Sequence, residues 1–289
     1  MNAAIIGTGF LGEQLYEDSK SFYDEIILTH HKHQKYPSSQ KFDLFADDIK
    51  NVFGDKKIDV IFFTAMIEFT ENTNLLRESM SRFLKSVRDS RIIYISSDGI
   101  FDGQKGLYKE TDIPTPVTLY GKNLKLCEDL VKKYMDNYCI VRPNYIYGFV
   151  NGKLDERFTK IKQEVSEGRV IKRFTDMYKS PLNYMQTSQA ITKIAKSEYQ
   201  GVVHVSGERM SVYEFTKRGL EALRLSTKNL IGNSMPKERP INFLPDTSLN
   251  YTLMTRLTNV VPLDIKDGFK DMLEIEHSEK NAQLKKYLR

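Results

Sequence analysis

The front of the chain leaves little freedom of fold. Ala3-Ala4-Ile5-Ile6 is a short apolar strand that runs straight into Gly7-Thr8-Gly9-Phe10-Leu11-Gly12, and Glu13-Gln14-Leu15-Tyr16 behind it has a helical pattern. Strand, GxGxxG and helix in immediate succession form the opening turn of an α/β sheet protein. The glycines allow a tight turn, let a pyrophosphate approach backbone amides at the helix N-terminus, and let the helix pack on its strand. The motif points to dinucleotide binding by Gly7, Thr8, Gly9, Phe10, Leu11 and Gly12. A glycine-rich turn that serves helix–strand packing alone is the alternative.

Further apolar runs continue the pattern. Glu25-Ile26-Ile27-Leu28-Thr29, Ile58-Asp59-Val60-Ile61-Phe62-Phe63, Arg91-Ile92-Ile93-Tyr94-Ile95 and Tyr138-Cys139-Ile140-Val141 read as buried parallel strands. Between them, residues 73–88 read as a helix with Leu75, Leu76, Phe83, Leu84 and Val87 inward, and 153–167 as an amphipathic surface helix. At 289 residues the chain can bury a sizeable core, as one large domain or two small ones.

The second strand ends in His30-His31-Lys32-His33. A site for NAD carries an acid near that point to hold the ribose 2′-hydroxyl. Asp24 and Glu25 stand at the strand's other end, whereas His30 and Lys32 can meet a 2′-phosphate, so NADP(H) is expected over NAD(H). The clustered histidines also raise metal binding, but no acid or cysteine completes a ligand set, and no metal is expected.

Composition narrows the partners. Hydrophobic residues at 40% and charged residues at 28% are those of a soluble globular protein. The net charge of +5 and pI near 8.9 come from scattered lysines, which suits an anionic small ligand and argues against nucleic acid. Cys127 and Cys139 lack CxxC or metal-ligand spacing and read as buried free thiols. The start has no basic n-region or long apolar stretch, and no run nears the roughly 20 apolar residues that span a bilayer. A cytoplasmic location without membrane attachment is expected.

The strand at 91–95 delivers Ser96, Ser97 and Asp98 at its carboxyl end, where open α/β sheets bind ligands. A loop punctuated by Gly103, Gly106, Pro114 and Pro116 leads to a helix opening at Leu119-Tyr120. A serine hydroxyl from a strand end and a phenol from a helix start can meet over one carbonyl. The serine then donates to the oxygen and the tyrosine is its proton source. Tyr120 and Ser97, with Asp98 beside them, are the candidate catalytic residues.

Ser96-Ser97-Asp98-x-x-Phe101-Asp102-Gly103, followed by Tyr108-x-Glu110-x-Asp112-x-Pro114-x-Pro116-x-x-x-Tyr120-Gly121, resembles the extended short-chain dehydrogenase/reductases, specifically the dTDP-4-dehydrorhamnose reductase branch. The resemblance runs in order from Gly7 to about Gly268. It implies an α/β, Rossmann-type doubly wound parallel sheet, with an NAD(P)-binding domain at about 1–150. A small C-terminal substrate-binding lobe at about 151–289, with interleaved segments, would follow.

Several positions are carried over from that resemblance. Asp43-Leu44 is similar to the branch's acid–aliphatic pair at adenine, with a helix N-cap region, for which Asp47 and Asp48 compete, as the alternative. Thr64-Ala65-Met66 stands where the family has Asn-Ala-Ala beside the dinucleotide. Arg142-Pro143-Asn144-Tyr145-Ile146-Tyr147-Gly148 resembles Arg-Pro-x-Asn-Val-Tyr-Gly, which implies Pro143 and Tyr145 near nicotinamide and Asn144 at the substrate pocket. Asp176-Met177-Tyr178-Lys179-Ser180-Pro181 is similar to the branch's Asp-Gln-x-Gly-Ser-Pro at the sugar-nucleotide site. Arg239-Pro240 resembles the end of Arg-Arg-Pro, and the planar fork of Arg239 can clamp a diphosphate; a surface arginine is the alternative. His204 alternates with valines and reads as a core or edge histidine.

One departure bears on the chemistry. The family places a lysine four residues after the tyrosine; here that position is Leu124, with lysines at 122 and 125, while Glu128 keeps its usual offset. On a helix i+4 lies about 40° from the tyrosine's direction, i+5 about 140° and i+2 about 200°, so neither lysine is a simple replacement. A tyrosine with a pKa of about 10 is protonated at neutral pH and fit to act as an acid. Oxidation needs the phenolate, so losing the lysine handicaps oxidation more than reduction.

The expected function is NADPH-dependent reduction of the 4-keto group of a nucleotide-activated deoxysugar, with a nucleotide sugar as partner and a homodimer compatible with the sequence. A catalytically weak NADP(H)-binding regulatory protein is the first alternative, favoured by Leu124, Thr64 and Tyr145. A sugar-nucleotide epimerase is the second.

Overall fold

The structure, a computed structural model, describes residues 1–278 apart from 239 and 242. Its central sheet comprises β1 (Asn2–Ile6), β2 (Glu25–His30), β3 (Gln40–Lys41), β4 (Val60–Phe63), β5 (Arg91–Ile95), β6 (Tyr138–Pro143) and the strand Gly201–Val205. The seven are parallel, and their spatial order is Gly201–Val205, β6, β5, β4, β1, β2, β3. Ala3 of β1 pairs with Ile26 on one side and Val60 on the other. The strand order therefore reverses beside β1, and the carboxyl ends of β1 and β4 flank the point where such sheets take ligands.

The apolar runs become strands because both faces are covered: Val60, Ile61, Phe62 and Phe63 are all 2% exposed or less. Ala4, Ile6, Ile61, Phe63, Ile92 and Tyr94 alternate onto one face, where α3 (Thr73–Ser86) and α4 (Leu119–Tyr134) cover them with Leu76, Met80, Phe83, Cys127 and Val131. Phe63 meets Phe83 edge-on at 5.1 Å and 71°. Each such side chain contributes roughly 1.5–3 kcal/mol by leaving water.

Asn72 caps α3 by accepting from the Leu75 amide at 3.0 Å, and Thr118 caps α4 by accepting from the Gly121 amide at 3.0 Å. Leu75 itself, expected inward, is 38% exposed. Leu76, Met80, Phe83 and Leu84 form the buried stripe at helical spacing, and a residue one step earlier is turned about 100° away from it.

Contacts divide the chain into two units. Met1–Asp102, Glu110–Arg142 and Ser188–His204 form the first, and Gly103–Lys109, Pro143–Thr187 and the chain from Val205 form the second. The second unit has an aromatic core in which Phe215 meets Phe158 at 5.2 Å and Tyr147 at 5.3 Å, and Phe269 meets Phe158 at 5.1 Å. Its first helix runs Glu156–Ser166 because Lys153–Leu154 pairs antiparallel with Phe149–Val150 and Asp155 then accepts from the Phe158 amide at 3.1 Å. Among the described residues, no helix is long and apolar enough to cross a membrane.

Candidate active site

The turn after β1 is shaped by what a side chain would meet. Gly7 has φ +98°, and a Cβ there would lie 2.9 Å from the Ala65 Cα; at Gly12 a Cβ would lie 2.3 Å from the Gly7 carbonyl oxygen. At Gly9 a Cβ would meet nothing within 4 Å, so this face of the turn is open. Thr29 of β2 holds the turn from below, its hydroxyl accepting from the Gly7 amide at 3.0 Å while its carbonyl accepts from the Thr8 amide at 2.9 Å. Thr64 donates to the Gly7 carbonyl at 2.5 Å, tying the end of β4 to the same turn. Gly9 then leads into α1 (Phe10–Ser19) with no side-chain cap, which leaves its first amides available to a ligand. Phe10 and Leu11 are partly exposed, and Thr8 is buried. An open, glycine-lined helix start at the reversal of strand order fits a dinucleotide diphosphate.

At the end of β2, the His30 Nδ1 pairs with the Ser39 hydroxyl at 2.9 Å, and Lys32 is exposed. Asp43 accepts from the Phe45 amide at 2.9 Å and lies 3.4 Å from His31 Nε2; Leu44 is buried beside it. Helix-capping falls instead to Asp48, at the start of α2 (Ile49–Phe53), whose carboxylate accepts from the Lys50 amide at 3.0 Å. Among the described residues, no three His, Cys, Asp or Glu side chains are placed to hold a metal.

Ser97 and Tyr120 come together. Ser97 caps the single turn Asp98–Ile100, accepting from the Gly99 amide at 3.2 Å and donating to Asp98 at 3.1 Å, and its side chain sits near enough to the Tyr120 hydroxyl to pull that phenol's pKa down. Gly99 makes room for the phenol ring, since a Cβ there would lie 2.9 Å from Tyr120 Cε1. On the ring's face Phe69 is stacked at 4.4 Å and 16° while remaining 66% exposed.

Burial drives the Tyr120 phenol well above its usual pKa, the Ser97 hydroxyl opposes this, and the Glu68 and Asp98 carboxylates add to the rise. Leu124, at the family's lysine position, is 1% exposed. Lys125 pairs with Asp129 at 2.6 Å, and Lys122 is exposed.

The segment after β4 links the two halves of this unit's site. Its start, Thr64-Ala65, packs on the glycine turn, Met66 is 78% exposed, and its end reaches Tyr120 through Phe69. Asn123 on α4 anchors it, donating to the carbonyls of Glu68 and Thr70 at 2.9 Å each. Sequence reasoning passed over Glu68, Phe69 and Asn123. The available signal was a single acid between the apolar Ile67 and Phe69, beyond a buried strand.

Behind the serines lies a buried ion pair. Arg142 donates to both Glu128 oxygens, at 2.8 and 2.6 Å, and Ser96 donates to the same carboxylate at 2.7 Å; both charged side chains are 1% exposed. His204 is fully buried with its Nε2 3.4 Å from Arg142. Cys127 and Cys139 are buried free thiols, and burial pushes Cys139 up to about 12.

Pro143, Asn144, Tyr145 and Asp176 belong to the second unit. Pro143 is buried at the end of β6. Asn144 is engaged with backbone, donating to the Thr247 carbonyl at 2.7 Å and accepting from the Ser180 amide at 3.2 Å. Tyr145 has φ +48° and lies under the Arg157 guanidinium at 3.7 Å. Both oxygens of Asp176 accept from the Met235 amide, at 2.8 and 3.1 Å. Arg239 lies outside the described residues.

Comparison with known proteins agrees with this arrangement. The family model described as RmlD substrate binding domain matches residues 79–274. The chain is 28% identical over 251 residues to the spore coat polysaccharide biosynthesis protein SpsK of Bacillus subtilis, covering 79% of this chain and 83% of that one. It is 27% identical to the methionine adenosyltransferase 2 subunit beta of Danio rerio, over 78% of this chain and 74% of that one. The crystal structure of a hypothetical dTDP-4-dehydrorhamnose reductase from Sulfolobus tokodaii superposes with a TM-score of 0.76 at 25% identity, covering 93% of this chain and 99% of that one. The chain belongs to the RmlD family, within the extended short-chain dehydrogenase/reductases, and is homologous to the dTDP-4-dehydrorhamnose reductases.

Proposed function

We propose that this protein reduces the 4-keto group of a nucleotide-activated deoxysugar with NADPH. The observation that carries the reading is the convergence of Ser97 and Tyr120 at the carboxyl end of β5, where the phenol ring is seated against Gly99, two residues beyond the serine, on a segment-linked edge shared with the open glycine turn. Gly7, Gly9, Gly12 and the first amides of α1 would hold the dinucleotide, which supplies the hydride when bound. Ser97 donates a hydrogen bond to the ketone oxygen, and Tyr120 gives that oxygen its proton. The surroundings keep the phenol protonated, the state a proton donor must start from, and Leu124 leaves no cation at the position that would favour the phenolate. His30 and Lys32 at the end of β2 support NADP(H) over NAD(H). Under this reading the protein serves dTDP-rhamnose biosynthesis in the cytoplasm, as a homodimer and without nucleic-acid partners.

Purified protein given NADPH and a panel of nucleotide 4-keto-6-deoxysugars is expected to consume NADPH, and Tyr120→Phe to lower turnover by about 10²–10⁴-fold. Unchanged turnover in that variant removes Tyr120 from the mechanism. A second reading, an NADP(H)-binding regulatory subunit, draws on the buried Leu124 and on the likeness to a protein named as a subunit of methionine adenosyltransferase. It requires that NADPH raise the melting temperature while every sugar leaves NADPH unoxidised, and brisk turnover ends it. An epimerase would interconvert sugars with no net loss of NADPH.

A further inference from the structure

Glu68 takes part in none of the chemistry above, yet it is 3% exposed and its charge acts on Tyr120. Its surroundings are fixed from several elements. Tyr94 of β5 donates a hydrogen bond to its Oε1. Asn123, one helical turn on from Tyr120, holds its backbone carbonyl, and the next residue, Phe69, stacks on the Tyr120 ring. The titratable groups facing Glu68 are Tyr94 from β5 and Tyr120 and Cys127 from α4. Asp98, in the turn after β5, acts on Tyr120 as well.

We propose that Glu68 is a positioning residue for Tyr120: neutral, it lets the phenol release its proton, and ionised, it holds that proton back. The proposal rests on the reading of Tyr120 as the proton donor. When Tyr120 gives its proton to a ketone, negative charge develops on the phenol oxygen. A neutral carboxyl nearby tolerates that charge, whereas a carboxylate repels it in a site shielded from water. The family's lysine would offset such repulsion, but Leu124 is apolar and buried. Burial pushes the Glu68 carboxyl up to about 7, against the pull of the Tyr94 hydroxyl and the backbone amides of Glu68 and Ile67. Its charge therefore changes within the ordinary working range of pH. Phe69 and Asn123 fix the segment that carries Glu68 to the helix that carries Tyr120, so the two groups keep their separation.

The decisive measurement does not need turnover. With 4-fluorophenylalanine placed at position 120, the fluorine stands near the phenol oxygen and does not itself titrate, so its NMR shift reads neighbouring charge alone. We expect a step with a midpoint near pH 7, absent in Glu68→Gln and moved to higher pH in Tyr94→Phe, which removes a hydrogen bond that favours the ionised form. A trace that is flat across this range, or a step that survives Glu68→Gln, overturns the proposal.

In the full-length enzyme with its tyrosine, turnover is expected to fall on the order of tenfold as Glu68 ionises, and Glu68→Gln to abolish that fall. Superimposable pH profiles of the wild type and Glu68→Gln also overturn it. If no sugar is reduced while the fluorine step appears, the reductase reading fails and the electrostatic coupling stands.

Discussion

About two turns of α4 separate Tyr120 from Glu128, and the helix treats the two groups in opposite ways. Glu128 is buried as a matched charge: Arg142 arrives from β6 with two donors, and Ser96 supplies a third from the end of β5. Tyr120 is half-buried beside an apolar Leu124, with two carboxylates acting to hold its proton on and the Ser97 hydroxyl acting the other way. A buried group that must carry charge needs its counter-charge built in, and a group denied one stays neutral. The lower part of the helix is therefore a fixed ion pair that locks three elements together. Its start presents a phenol that keeps its proton until something takes it.

The largest expected effect breaks the matched side of this contrast. Arg142→Met leaves Glu128 buried without its partner and is expected to cost about 3–5 kcal/mol in urea unfolding. Combining it with Glu128→Met should recover most of that loss, because an apolar pair needs no counter-charge. A cost below about 1 kcal/mol would mean that Glu128 is not held as a buried ion.

The unmatched side has its own signature in pH. The Glu68 carboxyl is raised from an ordinary value of 4.5 to about 7 in the folded protein, so between those values the folded state keeps a proton that the unfolded chain has released. Its contribution is fully present below about pH 4.5 and is lost as pH rises through about 7, a change of roughly 3 kcal/mol. Urea midpoints measured across that window should fall in the wild type and fall less in Glu68→Gln. An equal slope in both would place the titration elsewhere.

Gly99→Ala tests how tightly the phenol is seated. The new methyl would lie 2.9 Å from Tyr120 Cε1, and shifting the ring also disturbs its stack on Phe69. Overpacking of this kind costs about 1–3 kcal/mol. Turnover should suffer more than stability, because the approach of the phenol to Ser97 depends on the ring's place against Gly99.

What the sequence made legible follows the same division. The glycine turn could be read because its constraint is local: Gly7 needs a positive φ, and Gly7 and Gly12 face backbone atoms that any side chain would strike. The strands could be read because unbroken apolar runs have few other uses. Glu68 could not, since Met66-Ile67-Glu68-Phe69 carries no sign that Tyr94 and Asn123 will arrive from distant segments. Nor could the hydrogen bonds of Asn144 and Asp176, whose partners Thr247 and Met235 lie far along the chain. Leu75 was placed inward beside Leu76, but one step along a helix turns a side chain about 100°, and it is Leu76 that falls on the buried stripe with Met80, Phe83 and Leu84.

The smallest expected effect sharpens the contrast most. If Tyr120 works without a cation, the lysines that flank Leu124 are surface groups. Lys125 spends its charge on Asp129 at 2.6 Å, one turn along the helix, with both side chains substantially exposed. Exposed pairs of this spacing are worth about 0.3–0.5 kcal/mol and weaken with salt. Lys125→Ala should therefore lower stability by no more than about that amount, and Lys122→Ala by less, while NADPH consumption and its pH profile stay within twofold of the wild type. Stability and chemistry are thus expected to part company at these positions. A fall in turnover of tenfold or more in either variant, with stability unchanged, would mean that its ammonium reaches the phenol during the reaction, and Tyr120 would then be a matched group like Glu128.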